Sequence, residues 1–110
     1  MGKNVEKFKG VYVAMYSAYD DNGNVDRERV KKLARYYVGK GIKGLYVGGS
    51  SGEGLLQNEE ERKAVLEAVM EEVKGEMIII AHIVANSTVE SVRLAKHAEK
   101  VGADAVSSIP

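Results

Sequence analysis

The chain has 110 residues, is 45% hydrophobic and 29% charged, and sets 16 basic side chains against 16 acidic ones. That is enough for one soluble domain with a real core, and with no net charge nothing draws it to nucleic acid or to an anionic membrane. It contains no cysteine, which excludes disulfides and Cys-ligated zinc and favours an intracellular, cytoplasmic setting.

Val11 to Tyr16 is a nearly unbroken apolar run of β-formers, the pattern of a strand buried on both faces of a parallel sheet. Asp20, Asn22 and Gly23 then mark a turn. From Asp26 to Lys40 the period becomes helical, with Val30, Leu33, Ala34, Tyr37 and Val38 forming one stripe and Gly41 expected as the left-handed stop. The apolar run Leu45 to Val47 reads as the second, buried strand.

Beyond it, four of the seven residues from Gly48 to Gly54 are glycine, and Ser50 and Ser51 lie in the middle. Asn58-Glu59-Glu60-Glu61 follows as a capping box. A strand, a glycine-rich loop and a helix together aim backbone N–H groups at an anion beyond the strand's end. The two hydroxyls add donors, so the loop is expected to grip a small carboxylate or another anion. The three glutamates read as a solvated first turn.

The second helix buries Ala64, Val65, Ala68 and Val69, widened by Leu66, Met70 and Val73, and ends near Gly75. Met77 to Ala81 is the third strand, with His82 at its end. Ser87-Thr88-Val89-Glu90 is a second capping box. Its helix is expected to turn Val89, Val92, Ala95 and Ala98 inward, up to Gly102. Ala105 to Ile109 begins a fourth strand, and Gly41–Tyr46 and Gly102–Ser107 repeat one plan of glycine, turn and strand.

Strand starts near 11, 43, 77 and 104 recur roughly every 30 residues, one βαβ step each. The order β-α-β-α-β-α-β calls for parallel strands with right-handed crossovers in one continuous α/β unit over residues 1–110. Periodicity leaves two architectures open, a small doubly wound sheet or the first half of a (β/α)8 TIM barrel. In both, ligands bind at the C-terminal strand ends, where Ser17, the Gly48–Gly54 loop, His82 and Ser108 fall. No apolar run approaches the roughly 20 residues of a membrane span. The first residues have no secretory core, and Glu6 is wrong for a myristoylation signal.

Gly44-Leu45-Tyr46-Val47-Gly48-Gly49-Ser50-Ser51-Gly52-Glu53 resembles the signature of the dihydrodipicolinate synthase and N-acetylneuraminate lyase family of pyruvate-dependent class I aldolases. Gly10-Val11, Glu61-Arg62, Ile80-Ala81-His82 and Gly102 to Ser107 match in kind and spacing, so the likeness covers nearly the whole chain. The Tyr-Val-Gly-Gly-Ser wording leans toward the neuraminate lyase branch.

The resemblance implies a TIM barrel of which this chain is the N-terminal half. It implies a homotetramer acting on a small molecule (pyruvate, another 2-keto acid or sialic acid), with no cofactor and no metal. It assigns Ser50 and Ser51 to the pyruvate carboxylate. It places the Schiff-base lysine and the proton-relay tyrosine beyond Pro110, so no catalytic residue lies within this chain, and the 110 residues alone are expected to be inactive. Lys43, Lys96, Tyr16 and Tyr46 are not equivalents of those groups. Ser17-Ala18-Tyr19 departs from the family's usual Thr-Pro-Phe.

A half-barrel would expose its first and fourth strands as edges and leave Val13, Tyr46 or Val47, and Ile79 or Ile80 without the opposite wall. The expectation is therefore a piece of a longer lyase, or else a half-barrel that pairs with a second copy. The competing readings are a dihydrodipicolinate synthase-like or other 2-keto-acid aldolase and a flavodoxin-like module that uses Gly48–Gly54 for phosphate. Among single residues, Glu53 is expected to hydrogen-bond its own loop, His82 to pack or hydrogen-bond, and His97 to be solvated.

Overall fold

A computed structural model describes residues 10–15, 18–48, 58–83, 85 and 87–107. The elements are β1 (Tyr12–Met15), α1 (Arg27–Tyr37), β2 (Gly44–Val47), α2 (Glu59–Val73), β3 (Ile78–His82), α3 (Thr88–Val101) and β4 (Ala105–Ser107). All strand pairs are parallel and their order is β1-β2-β3-β4.

Unbroken sequential order is what a barrel wall requires. A doubly wound sheet reverses direction at a switch point, so the flavodoxin-like reading is overturned.

Alternation along the strands separates two faces. Met15, Leu45, Val47, Ile79 and Ala81 point to the helices and join Val30, Ala34, Val65, Ala68, Val69, Val73 and Ala98 in one core. Val13, in register with Leu45, packs against that same core, which corrects its expected place on the inner face. Tyr46 and Ile80, in register with each other, carry the opposite phase.

Local chemistry sets the element ends. Asp20 Oδ1 accepts from the amides of Asn22 (2.8 Å) and Asn24 (3.0 Å) and makes the turn after β1. Asp26 caps α1 through the Arg29 amide. Asn58 and Glu61 exchange both bonds of the capping box, at 2.8 and 2.9 Å. Ser87 Oγ accepts from the Glu90 amide at 3.1 Å. At β4, Asp104 Oδ2 accepts from the Ile79 amide and the Asp104 amide donates back to the Ile79 carbonyl, tying the last strand to its neighbour.

Two helix expectations need correction. α1 ends at Tyr37, because Val38 is extended and Gly39 (φ 81°) takes the left-handed turn before Gly41 can. On α3 the buried residues are Leu94 and Ala98, while Val89 and Val92 are exposed. Each step of three residues advances about 300° around a helix. The line from Val89 to Ala98 therefore winds about half a turn, and its ends face opposite ways.

Two surface expectations change as well. His97 is not solvated: its Nε2 lies 2.7 Å from Glu67 on α2. Glu59 is not a bare first-turn charge, since it binds Arg93 of α3 and Lys63. No helix among the described residues is long and apolar enough to cross a membrane.

Candidate functional site at the C-terminal strand ends

β2 hands the chain over at Gly48, whose φ of 84° is a left-handed conformation that glycine adopts without strain. A Cβ there would sit 3.2 Å from the His82 carbonyl oxygen, so the end of β2 lies close against the end of β3. Ser50, Ser51 and Glu53 fall outside the described residues, as do Ser17 and Ser108.

The described strand ends bring together Tyr46, His82 and Ser107. The Tyr46 hydroxyl lies 3.0 Å from His82 Nδ1 and is also hydrogen-bonded to Ser107 Oγ. His82 Nδ1 and Ser107 Oγ are 3.4 Å apart. The two rings are inclined at 36° with centroids 5.5 Å apart. Register explains the meeting: Tyr46 pairs with Ile80 and His82 with Ser107, so all three side chains point to the face away from the helices, one pleat apart.

Behind them, Arg62 reaches in from the first turns of α2, and its Nη2 donates to the His82 carbonyl at 2.9 Å. Arg62 is 6% exposed and His82 5%. Burial lowers the Arg62 pKa from its usual value, opposed by the charge of Glu90. Burial first, and the Arg62 charge second, push the His82 imidazole below its ordinary 6.5.

His82 is therefore neutral at pH 7 and has one ring N–H to place. Its Nε2 is buried with no hydrogen-bond partner among the described residues. A bare acceptor costs less than a stranded N–H, so the proton belongs on Nδ1, donating to Tyr46 Oη. Tyr46 then donates to Ser107 Oγ. This arrangement follows from hydrogen-bond completeness.

The cluster can hold and orient without carrying charge. Among the described residues it has neither a carboxylate to orient the imidazole, as a hydrolase triad would, nor an amine. Of the described lysines weighed above, Lys43 lies before β2 at the opposite end of the sheet, and Lys96 is exposed on α3. A cavity of about 400 Å³ opens at that opposite end beside Lys43, Lys74, Glu76 and Asp104. In barrel folds that face serves stability and the C-terminal face serves chemistry.

Sequence reasoning singled out His82 but missed Tyr46, Ser107 and Arg62 as its partners. A signal was present. Tyr46 and Ser107 each stand five places after the glycine of the repeated plan, Gly41 and Gly102.

Consecutive parallel strands, helices on one face and a polar cluster at the C-terminal ends make up one half of a (β/α)8 barrel. The chain belongs to the dihydrodipicolinate synthetase family, whose profile matches residues 7–110. It is 50% identical to an N-acetylneuraminate lyase of Mediterraneibacter gnavus over 98% of this chain and 34% of that protein. It is 47% identical to N-acetylneuraminate lyase 2 of Escherichia coli over 94% of this chain and 34% of that one.

Among solved structures, the sialic acid aldolase of Ruminococcus gnavus superposes with a TM-score of 0.92 at 50% identity, covering 94% of this chain and 35% of the other. Dihydrodipicolinate synthase of Aquifex aeolicus superposes at 0.85 with 33% identity, covering 92% and 34%. The chain thus spans about a third of the length of the relatives it matches.

Proposed function

We propose that residues 1–110 form the N-terminal half of the barrel domain of a Schiff-base lyase that splits N-acetylneuraminate into N-acetylmannosamine and pyruvate. The observation that carries this is the 50% identity to an N-acetylneuraminate lyase across 98% of the chain. In this reading Ser50 and Ser51, just past β2, bind the keto-acid carboxylate and orient its carbonyl for attack. The lysine and the proton-relay tyrosine come from beyond Pro110.

The lysine amine adds to the keto carbon and water leaves, giving a protonated imine. The imine takes up the electron pair of the breaking carbon–carbon bond while the neighbouring hydroxyl loses its proton and becomes the aldehyde. The resulting enamine is protonated, and water releases pyruvate. The imine is itself the electron sink, so the scheme calls for no cofactor or metal. The protein works on a small molecule in the cytoplasm as a homotetramer.

Borohydride reduction in the presence of pyruvate tests this. The full-length protein gains a covalent adduct on one lysine beyond residue 110, and the 110-residue chain alone gains none. Replacing both serines (Ser50→Ala with Ser51→Ala) raises the half-saturating pyruvate concentration at least about tenfold, the scale of a lost hydrogen bond to a charged group. An adduct on the short chain, or unchanged half-saturation in the double variant, defeats the assignment. Condensation of pyruvate with aspartate semialdehyde, and no cleavage of N-acetylneuraminate, would replace it with the dihydrodipicolinate synthase reading.

A further inference from the structure

Burying an imidazole and a guanidinium at one place, with two half-buried hydroxyls beside them, is costly unless each is held by partners. An apolar filling would stabilise the fold as well or better, so the polar cluster at the strand ends calls for a positional explanation.

The geometry supplies one. His82 is held from two sides: its ring is bonded to Tyr46 on β2, which is bonded in turn to Ser107 on β4, and its carbonyl is bonded to Arg62 on α2. The same carbonyl abuts Gly48. The ends of three strands and the start of one helix therefore meet at a single residue, directly where β2 gives out.

We propose that Tyr46, His82 and Ser107, backed by Arg62, are a neutral clamp that positions the end of β2 for binding the carboxylate of a 2-keto acid. This rests on the lyase reading above. The four are positioning residues: they set where β2 ends, and none has to touch the keto acid.

The clamp uses Nδ1 of His82, and Nε2 has no hydrogen-bond partner among the described residues. That asymmetry gives the test its control. An asparagine at position 82 places an amide near the site of Nδ1, whereas a glutamine places it near that of Nε2.

The experiment measures pyruvate-dependent borohydride trapping in the full-length protein and in its Tyr46→Phe, Ser107→Ala, His82→Asn and His82→Gln variants. Each variant is also melted thermally. Loss of binding shared by ground and transition states raises the half-saturating concentration and spares the saturating rate. Tyr46→Phe and His82→Gln are expected to raise half-saturation about tenfold with the saturating rate within about twofold, and His82→Asn to recover at least about threefold of that loss.

Half-saturation unchanged in Tyr46→Phe and His82→Gln overturns the clamp, as does a fall confined to the saturating rate. Equal damage from asparagine and glutamine overturns it too, because the ring and not its Nδ1 bond would then matter. If Tyr46→Phe fails to fold, the two His82 variants decide between these outcomes. No adduct in the unmodified protein removes the lyase reading and the clamp together, whereas a normal adduct with unmoved variants removes the clamp alone.

Discussion

His82 closes β3 and His97 rides on α3, and their surroundings are opposites. His82 faces hydroxyls and a buried cation, and burial keeps its ring uncharged. His97 faces a carboxylate, Glu67, which also binds Arg27 of α1. Glu67 is held below its ordinary 4.5 first by the His97 hydrogen bond and then, against the cost of burial, by Arg27.

The same division separates the strand ends from the helix layer as a whole. Between α1 and α2 with the turn that follows it, Arg27, Lys31 and Arg35 meet Glu71, Glu72 and Glu76 in exposed or half-buried ion pairs. At the strand ends, fixed geometry comes from neutral, half-buried hydrogen bonds, which gain strength where water is partly excluded. On the helices, attraction comes from charges that water and salt screen. Backbone contact, pH and salt therefore act on different parts of the molecule.

The largest effect is expected where the sheet tolerates no side chain. A Cβ on Gly44 would lie 2.3 Å from the Ile78 carbonyl oxygen and 2.7 Å from the Tyr12 ring. Gly44→Ala must push β2 from β3 and is expected to cost about 3 kcal/mol or more in denaturant unfolding of the full-length protein. Gly75, after α2, has φ 86° and open space around it, so Gly75→Ala should cost only about 1 kcal/mol, from backbone strain. Equal losses would show that contact within the sheet is not the controlling factor.

Much of this architecture was readable beforehand, because it is written in short-range terms. The capping box at Asn58 and the apolar run of β3 need only neighbours in sequence. What escaped depends on register or on distant partners. Tyr46, His82 and Ser107 meet only once β4 is set against β3 with His82 opposite Ser107. The Glu67 that covers His97 is 30 residues away, on another helix. α1 ends short of Gly41 because two glycines in one turn can each stop a helix, and Gly39 comes first. The serine pair that sequence reasoning put at the centre of the site lies outside the described residues.

pH should separate the two histidine environments. The unfolded chain protonates a free His82 as pH falls below 6.5, while the folded ring, with its pKa lowered, stays neutral. The unfolded state then binds more protons, so this contribution is complete above 6.5 and is lost as pH falls through the folded value. Its slope cannot exceed about 1.4 kcal/mol per pH unit. Glu67 follows the same sign in a lower window, complete above 4.5 and lost as pH falls through its own lowered value. Melting curves across pH should show His82→Asn flattening the upper window relative to the parent and Glu67→Gln the lower. If His82→Asn left the upper window unchanged, that pH dependence would not come from the strand ends.

The smallest effect belongs to the helix surface, and salt should erase it. Arg35 reaches from α1 to Glu72 at 2.8 Å and to Glu76 at 2.7 Å, and its Nη2 also donates to the Glu72 carbonyl at 2.7 Å. The Glu76 hydrogen bond, followed by that of Glu72, raises the guanidinium pKa above its usual value. Yet the side chain is 45% exposed, and pairs in that setting contribute little. Arg35→Met keeps most of the apolar stem while removing the charge and its bonds. It is expected to lower the melting temperature by less than any other change here at low salt. At 1 M salt, where screening reaches about 3 Å, the variant and the parent should converge. Tyr46→Phe, measured alongside, should keep whatever shift it has, because its hydrogen bonds carry no net charge. A shift in Arg35→Met that survives high salt would trace to the Glu72 carbonyl bond, and the helix layer would then be held in part as the strand ends are.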